Sequence, residues 1–105
     1  MTAVVFLPPA EEEMIAAARY YESQSKGLGT DFLAEVQRTL VTITAHPKAA
    51  PQVKKDIRRR LLRRFPFGVL YTIRDSEIVI LAVMHLHRRP GYWQDRVEPS
   101  EELPT

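Results

Sequence analysis

Cysteine is absent from this chain, which excludes disulfides and thiolate-bound metals and fits a reducing, cytoplasmic setting. No apolar run approaches the ~20 residues needed to span a bilayer as a helix, so a transmembrane helix and a membrane partner are excluded. The N-terminal stretch Met1-Thr2-Ala3-Val4-Val5-Phe6-Leu7 has no basic leader and is halted by Pro8-Pro9. It is too short for a signal peptide and reads as a first strand. Internal repeats, low-complexity runs and dividing linkers are missing too, so the 105 residues form one domain with a single modest core. Histidine is scarce, at three residues. Two of them, His85 and His87, are spaced to share a metal on a strand, but a site needs a third or fourth ligand. The nearest carboxylates in sequence, Glu77 and Asp95, lie among arginines that repel a cation. Neither a metal nor a cofactor is expected.

Against these absences stands a concentration of arginine. Apolar content of 45% and charged content of 27% are ordinary for a globular protein, and the net charge is only +2. The distribution is lopsided, however. Lys54, Lys55, Arg58, Arg59, Arg60, Arg63 and Arg64 face a single acid, Asp56, in the same stretch. Acids gather in Glu11-Glu12-Glu13 and in Glu98, Glu101 and Glu102. Such polarisation points to an anionic partner, either nucleic acid or an acidic protein segment. A second cluster, Met84-His85-Leu86-His87-Arg88-Arg89-Pro90-Gly91-Tyr92-Trp93-Gln94-Asp95-Arg96, combines side chains that hold phosphate, move protons and stack on bases.

Periodicity supplies the organisation. Pro8-Pro9 opens a helix, followed by glutamates suited to its positive end and by Met14, Ala17, Ala18 and Tyr21 at helical spacing. Ser23 to Gly29 reads as a turn. A second helix places Phe32, Val36, Leu40 and Ile43 on one stripe, with Asp31, Glu35, Gln37 and Arg38 mostly away from it, and stops near His46 because Pro47 follows. Residues 48–56 read as a loop. Three strands follow, Ile57 to Phe65, Val69 to Arg74 and Ile78 to His87, joined by the short links Pro66-Phe67-Gly68 and Asp75-Ser76-Glu77. The last strand is apolar on both faces (Ile78, Ile80, Ala82; Val79, Leu81, Val83) and should be central, with the arginine-rich strand nearer an edge. The order β-α-α-β-β-β gives an α+β fold, two helices packed on one face of a mainly antiparallel sheet. Residues 1–97 make the domain, and 98–105 an acidic, flexible tail.

Residues spread along nearly the whole chain resemble, in order, the RelE/ParE superfamily of type II toxin–antitoxin toxins, in its ParE-like, plasmid-stabilisation branch. The resemblance is carried by Ala17-Ala18-Arg19-Tyr20-Tyr21-Glu22, Gly27-Leu28-Gly29 before Phe32, and Ile43 with Pro47. It continues through Arg60, Phe65-Pro66-Phe67 and Val69-Leu70-Tyr71, and closes with Val83, His85, Arg88, Pro90, Tyr92, Trp93 and Arg96. It implies a toxin that arrests growth unless bound by the antitoxin of an adjacent gene, in a toxin–antitoxin hetero-oligomer. ParE-like members poison DNA gyrase without an agreed catalytic site, whereas RelE-like members are metal-independent endoribonucleases that cleave ribosome-bound mRNA. A degenerate, non-toxic member would act only as an antitoxin-binding co-repressor.

For a nuclease, the proton-transfer candidates are His85, His87 and Tyr92, with Arg60 and Arg88 on the phosphate. Strand alternation puts His85 and His87 on one face. It also puts Arg58, Arg60, Leu62 and Arg64 together, opposite Arg59, Leu61, Arg63 and Phe65. For a nucleic-acid or other target-binding surface, the candidates are Arg58, Arg60, Arg63, Arg64 and Arg89. Each has a plainer reading. A histidine can end the core against a carbonyl, Tyr92 and Trp93 can be packing residues, Arg96 can pair with the glutamate-rich tail, and arginines also protect a sheet edge. For the antitoxin, a segment that folds on contact would meet Tyr20, Tyr21 and Leu33 with its apolar side chains and Arg58 and Arg60 with its acids.

Overall fold

The computed structural model describes residues 2–97, and the expected tail at 98–105 lies outside them. The elements are β1 (Ala3–Phe6), α1 (Pro8–Gln24), α2 (Leu28–Ala45), β2 (Gln52–Lys54), β3 (Ile57–Leu61), β4 (Phe67–Arg74), β5 (Glu77–His85) and a short 3₁₀ turn, Gln94–Arg96. The sheet order is β1-β5-β4-β3-β2. Only the β1–β5 pair is parallel; β5–β4, β4–β3 and β3–β2 are antiparallel. The expected α+β architecture is present; β5 is an interior strand between β1 and β4, and the middle strand is β4. The addition is β2, an edge strand inside the stretch read as a loop. Gln52, Val53 and Lys54 are all exposed and their register with β3 is broken by a bulge, so no alternation betrays the strand.

The helical hairpin is built by its sequence punctuation. Pro8 and Pro9 occupy the first turn of α1, where an N–H would be unpaired anyway. The turn before α2 is shorter than expected. Gly27 takes the left-handed conformation (φ 88°), and the Glu22 carboxylate at the end of α1 accepts the Gly27 and Gly29 N–H groups, both at 2.9 Å. Those bonds, Gly27 first, hold the Glu22 pKa below its ordinary value, as expected for a carboxylate on a helix N-terminus. Gly29 then lets the helices touch. A Cβ there would lie 2.5 Å from the Ala18 carbonyl oxygen.

Of the expected α2 stripe, Phe32, Val36 and Ile43 are buried at 1% exposure or less, and Leu40 is partly buried against them. Glu35 corrects the reading. Placed with the solvent-facing residues from its charge, it is 3% exposed.

The strand expected over Ile57 to Phe65 ends at Leu61. Leu62 keeps the helix side with Arg58 and Arg60 as expected, but Phe65, expected on the opposite face, also turns into the helix-side core, so the alternation fails beyond Leu62. Two bonds hold this departure: Arg63 N–H to Glu35 Oε2 at 2.7 Å, and Leu62 N–H to the Phe67 carbonyl at 2.9 Å. Phe67, assigned to a connection, is the first residue of β4. At the other end, Asp75 and Ser76, both at positive φ, make the two-residue turn joining Arg74 to Glu77.

A bulge sets which side chains of β5 face where. Leu70 pairs with Ala82 and Tyr71 with Ile80, leaving Leu81 extra. Parity shifts there. Ile78, Ile80 and Val83 join the core beneath the helices, whereas Val79, Leu81, Ala82 and Met84 face the helix-free side. That correction moves Ala82 and Val83 to faces opposite those expected. Trp93, 5% exposed, with Tyr92 and Val97, covers the helix-free side.

Candidate functional site

The second face needs a brace, because residues 86–97 leave the sheet without pairing in it. The register of β1 ends at Phe6 opposite Ile80, where the chain turns into α1, so beyond that point β5 is paired by β4 on one side and has no strand on the other. Two β5 groups past the end of β1, the Leu81 carbonyl and the Val83 N–H, are met by side chains. Glu13 Oε1 accepts the Val83 N–H at 3.0 Å, and Arg96 donates to the Leu81 carbonyl at 3.1 Å. Arg96 also forks onto both oxygens of Glu13, at 3.0 and 2.9 Å. Tyr92 completes the set, its hydroxyl donating to Glu13 Oε2 at 2.7 Å. Arg96 therefore pairs with the first helix. The Glu13 bond raises its already high pKa.

This brace fixes Tyr92 in a way that bears on chemistry. Burial first, then its bond to Glu13, pushes the Tyr92 pKa well above the ordinary tyrosine value. The guanidinium of Arg88 lies 3.8 Å from the ring centroid on one side, and that of Arg96 lies 5.0 Å away. A hydroxyl that is already donating and harder to ionise is poorly prepared to move a proton at neutral pH.

His85 ends β5 half-buried, its ring edge-on to Phe67 at 5.1 Å and 5.0 Å from the exposed ring of His87. The His87 backbone N–H donates to His85 Nδ1 at 3.0 Å, so neutral His85 carries its proton on Nε2. The two histidines are thus brought together. Arg60 is not brought to them. It pairs with Val69, which pairs with Val83, whereas His85 pairs with Phe67, two strands across and two residues further on. Ladder and rise spacings put the Arg60 and His85 backbones roughly 12 Å apart.

The remaining arginines do different jobs. Arg58 donates to the Lys48 and Ala50 carbonyls at 3.0 and 2.6 Å, clamping the loop after α2, and Tyr71 beside it donates to the Pro47 carbonyl at 2.6 Å. Arg64, exposed, faces Asp31 at 3.7 Å and stacks on Phe65. Arg63 is exposed and bonds to Glu35 through its backbone N–H. Arg89 is exposed and, with Arg88, Tyr92, Arg96 and Pro8-Pro9, lines an open cleft of about 560 Å³. Arg60 lies between β3 and α2 with Glu35, Arg38, Thr39, Thr42, Leu61 and Arg63. Among the antitoxin candidates, Tyr20 and Leu33 are 59% and 42% exposed. Tyr21 is half-buried, within 4.8 to 6.1 Å of Phe65, Phe32 and Phe67.

Glu13 and Glu35 were missed as positioning residues because each was counted as a surface acid. A signal existed. Glu13 is three residues after Ala10 and four before Ala17, both buried, and Glu35 bears the same relation to Phe32 and Thr39. Among the described residues no group of three His, Asp or Glu side chains is placed to hold a metal, and no helix is long and apolar enough to cross a membrane.

Comparison with known proteins fits this architecture. The family model described as the ParE toxin of the type II toxin–antitoxin system parDE matches residues 4–90, stopping short of Tyr92 and Arg96. No curated protein matches the chain. Among solved structures, a chain described as the chromosomal ParDE TA system from P. aeruginosa superposes with a TM-score of 0.59 at 19% identity, over 81% of this chain and 96% of that one. At that identity the likeness bears on the fold, and the family match over most of the chain bears on membership. The chain belongs to the ParE toxin family and is the toxin component of a type II toxin–antitoxin pair, with an antitoxin as its partner.

Proposed function

We propose that this toxin, freed from its antitoxin in the cytoplasm, arrests growth by binding and inhibiting DNA gyrase, and that it does so without catalysis of its own. The observation that carries this reading is the state of Tyr92. Its hydroxyl is committed to Glu13 and its pKa is raised, and Arg60 sits roughly 12 Å of backbone from His85. A nuclease would need a proton donor, a proton acceptor and phosphate-holding cations converging on one point. Here they are spread over two faces and two clefts. A binding toxin needs only exposed, oriented side chains, and Arg63, Arg64, His87 and Arg89 supply them.

The specific observation favouring the endoribonuclease is the His85–His87 pair, with rings 5.0 Å apart and one of them exposed. One experiment separates the two. The toxin is expressed without antitoxin, and plasmid supercoiling by gyrase is measured beside mRNA cleavage on translating ribosomes. Loss of supercoiling with intact mRNA is expected. Cleaved codons with normal supercoiling would end the gyrase reading. Normal growth would end both and leave a protein that only binds its antitoxin as co-repressor.

A further inference from the structure

Each of five other arginines has a defined partner. Arg58 has two carbonyls, Arg38 has Glu35, Arg64 has Asp31, Arg88 has the Tyr92 ring and Arg96 has Glu13. Arg60 is different. Its Nε is buried without an acceptor, and no bond or ion pair reaches its guanidinium among the described residues. The group lines a cleft of about 200 Å³ between α2 and β3. A desolvated donor left unpaired is costly, the more so when charged, so such a side chain calls for an anion.

The surroundings narrow that anion. The one carboxylate in the cleft, Glu35, is already committed to the Arg38 guanidinium at 2.9 Å and the Arg63 N–H at 2.7 Å. The Thr39 and Thr42 hydroxyls donate to the Glu35 and Arg38 carbonyls. Arg38, Arg60 and Arg63 therefore line the cleft with a single carboxylate among them. The floor is polar and positive, and the rim carries Leu61 at 51% exposure. A ligand that only accepts hydrogen bonds fits the floor, and an apolar neighbour fits the rim.

We propose that this cleft is the socket for one acidic side chain of the antitoxin, whose carboxylate takes the Arg60 guanidinium while an adjacent apolar residue covers Leu61. The inference rests on the antitoxin partnership that family membership supplies, and not on the gyrase reading. A peptide fits better than nucleic acid. The basic run is split by the fold, with Arg59 on the helix-free face beside Leu70, Met84 and Trp93. A nucleic-acid backbone is held best by a continuous positive track. The charged pair would form in a largely desolvated setting, where truncating one member acts mainly on the dissociation rate.

The test uses the toxin and the antitoxin encoded beside it, purified and recombined. Affinity and dissociation rate are measured for the wild type, Arg60→Ala and Arg60→Lys, and each acidic residue of the antitoxin is neutralised in turn. Arg60→Ala should weaken binding on the order of 30-fold or more through faster dissociation, with Arg60→Lys recovering part of it. Because that substitution removes a buried unpaired group, thermal unfolding of the free toxin should be unchanged or shifted upward. One antitoxin carboxylate should lose its effect when Arg60 is already alanine. A change under threefold with the fold intact, or no acidic residue coupled to Arg60, overturns the proposal. A labelled single-stranded oligonucleotide is the other arm. If Arg60→Ala weakens oligonucleotide binding and spares the antitoxin, the cleft takes phosphate and the proposal falls. A toxin that leaves gyrase untouched yet shows the coupling sinks the gyrase reading alone.

Discussion

Replacing Glu13 by alanine should be among the most costly single changes in the chain, and its size can be worked from the brace. The carboxylate accepts four bonds, from the Val83 N–H, the Tyr92 hydroxyl and two nitrogens of Arg96. Both charged side chains are only 16% exposed. Alanine leaves the Arg96 charge without its partner and two neutral donors without acceptors. Breaking a buried pair by removing one member costs about 3–5 kcal/mol. Residual exposure of both groups argues for the lower figure. For a domain of this size, about 3 kcal/mol lowers Tm by roughly 10–20 °C. Glu13→Gln keeps one carbonyl oxygen but turns an NH₂ toward existing donors, so roughly half the loss is expected. Urea unfolding followed by far-UV circular dichroism gives the global number. Trp93, the single tryptophan and 5% exposed, reports the C-terminal segment separately. Its emission should shift to the red in Glu13→Ala before the helices melt. A loss under about 1 kcal/mol with unchanged Trp93 emission would show that the brace does not hold the second face.

Further outcomes follow from other contacts. The Arg38 side chain, then the Arg63 N–H, holds the Glu35 pKa below its ordinary 4.5. Its stabilisation is therefore present at neutral pH and is lost as pH falls below about 4.5 toward the folded value. Glu35→Gln should flatten that acid limb in pH-dependent unfolding, and an unchanged limb would refute the assignment. Gly29→Ala drives a Cβ to 2.5 Å from the Ala18 carbonyl and should destabilise by about 1–3 kcal/mol, read as a lower urea midpoint at constant slope. Tyr92→Phe removes one bond to Glu13 and should cost about 1 kcal/mol while killing persists at equal expression. Loss of killing with an intact fold would instead make the hydroxyl functional.

Much of the architecture was legible because apolar periodicity decided it. The α2 stripe of Phe32, Val36 and Ile43, the doubly apolar β5 and the turn at Asp75-Ser76 are where local pattern and burial agree. What escaped notice was set by groups distant in sequence. The Leu81 bulge reverses the sides of Ala82 and Val83 without a glycine or proline to announce it. The end of β3 at Leu61 depends on Glu35, a residue 28 positions before the Arg63 N–H it holds. For the site, side-chain type identified the arginines, but type alone does not distinguish a loop clamp such as Arg58 from an unpaired cation such as Arg60. The partners that make that distinction are carbonyls and carboxylates brought in by the fold.

The parallel pairing of β1 with β5 has a consequence in time. Ala3 to Phe6 is made well before its ladder partner, Glu77 to Ile80, which follows more than seventy residues later. Glu13 waits as long for Val83, and longer for Tyr92 and Arg96. Until then α1 lacks β5, the strand on which it packs. The β1–β5 ladder therefore cannot form before Ile80 is made, nor the Glu13 brace close before Arg96 is made.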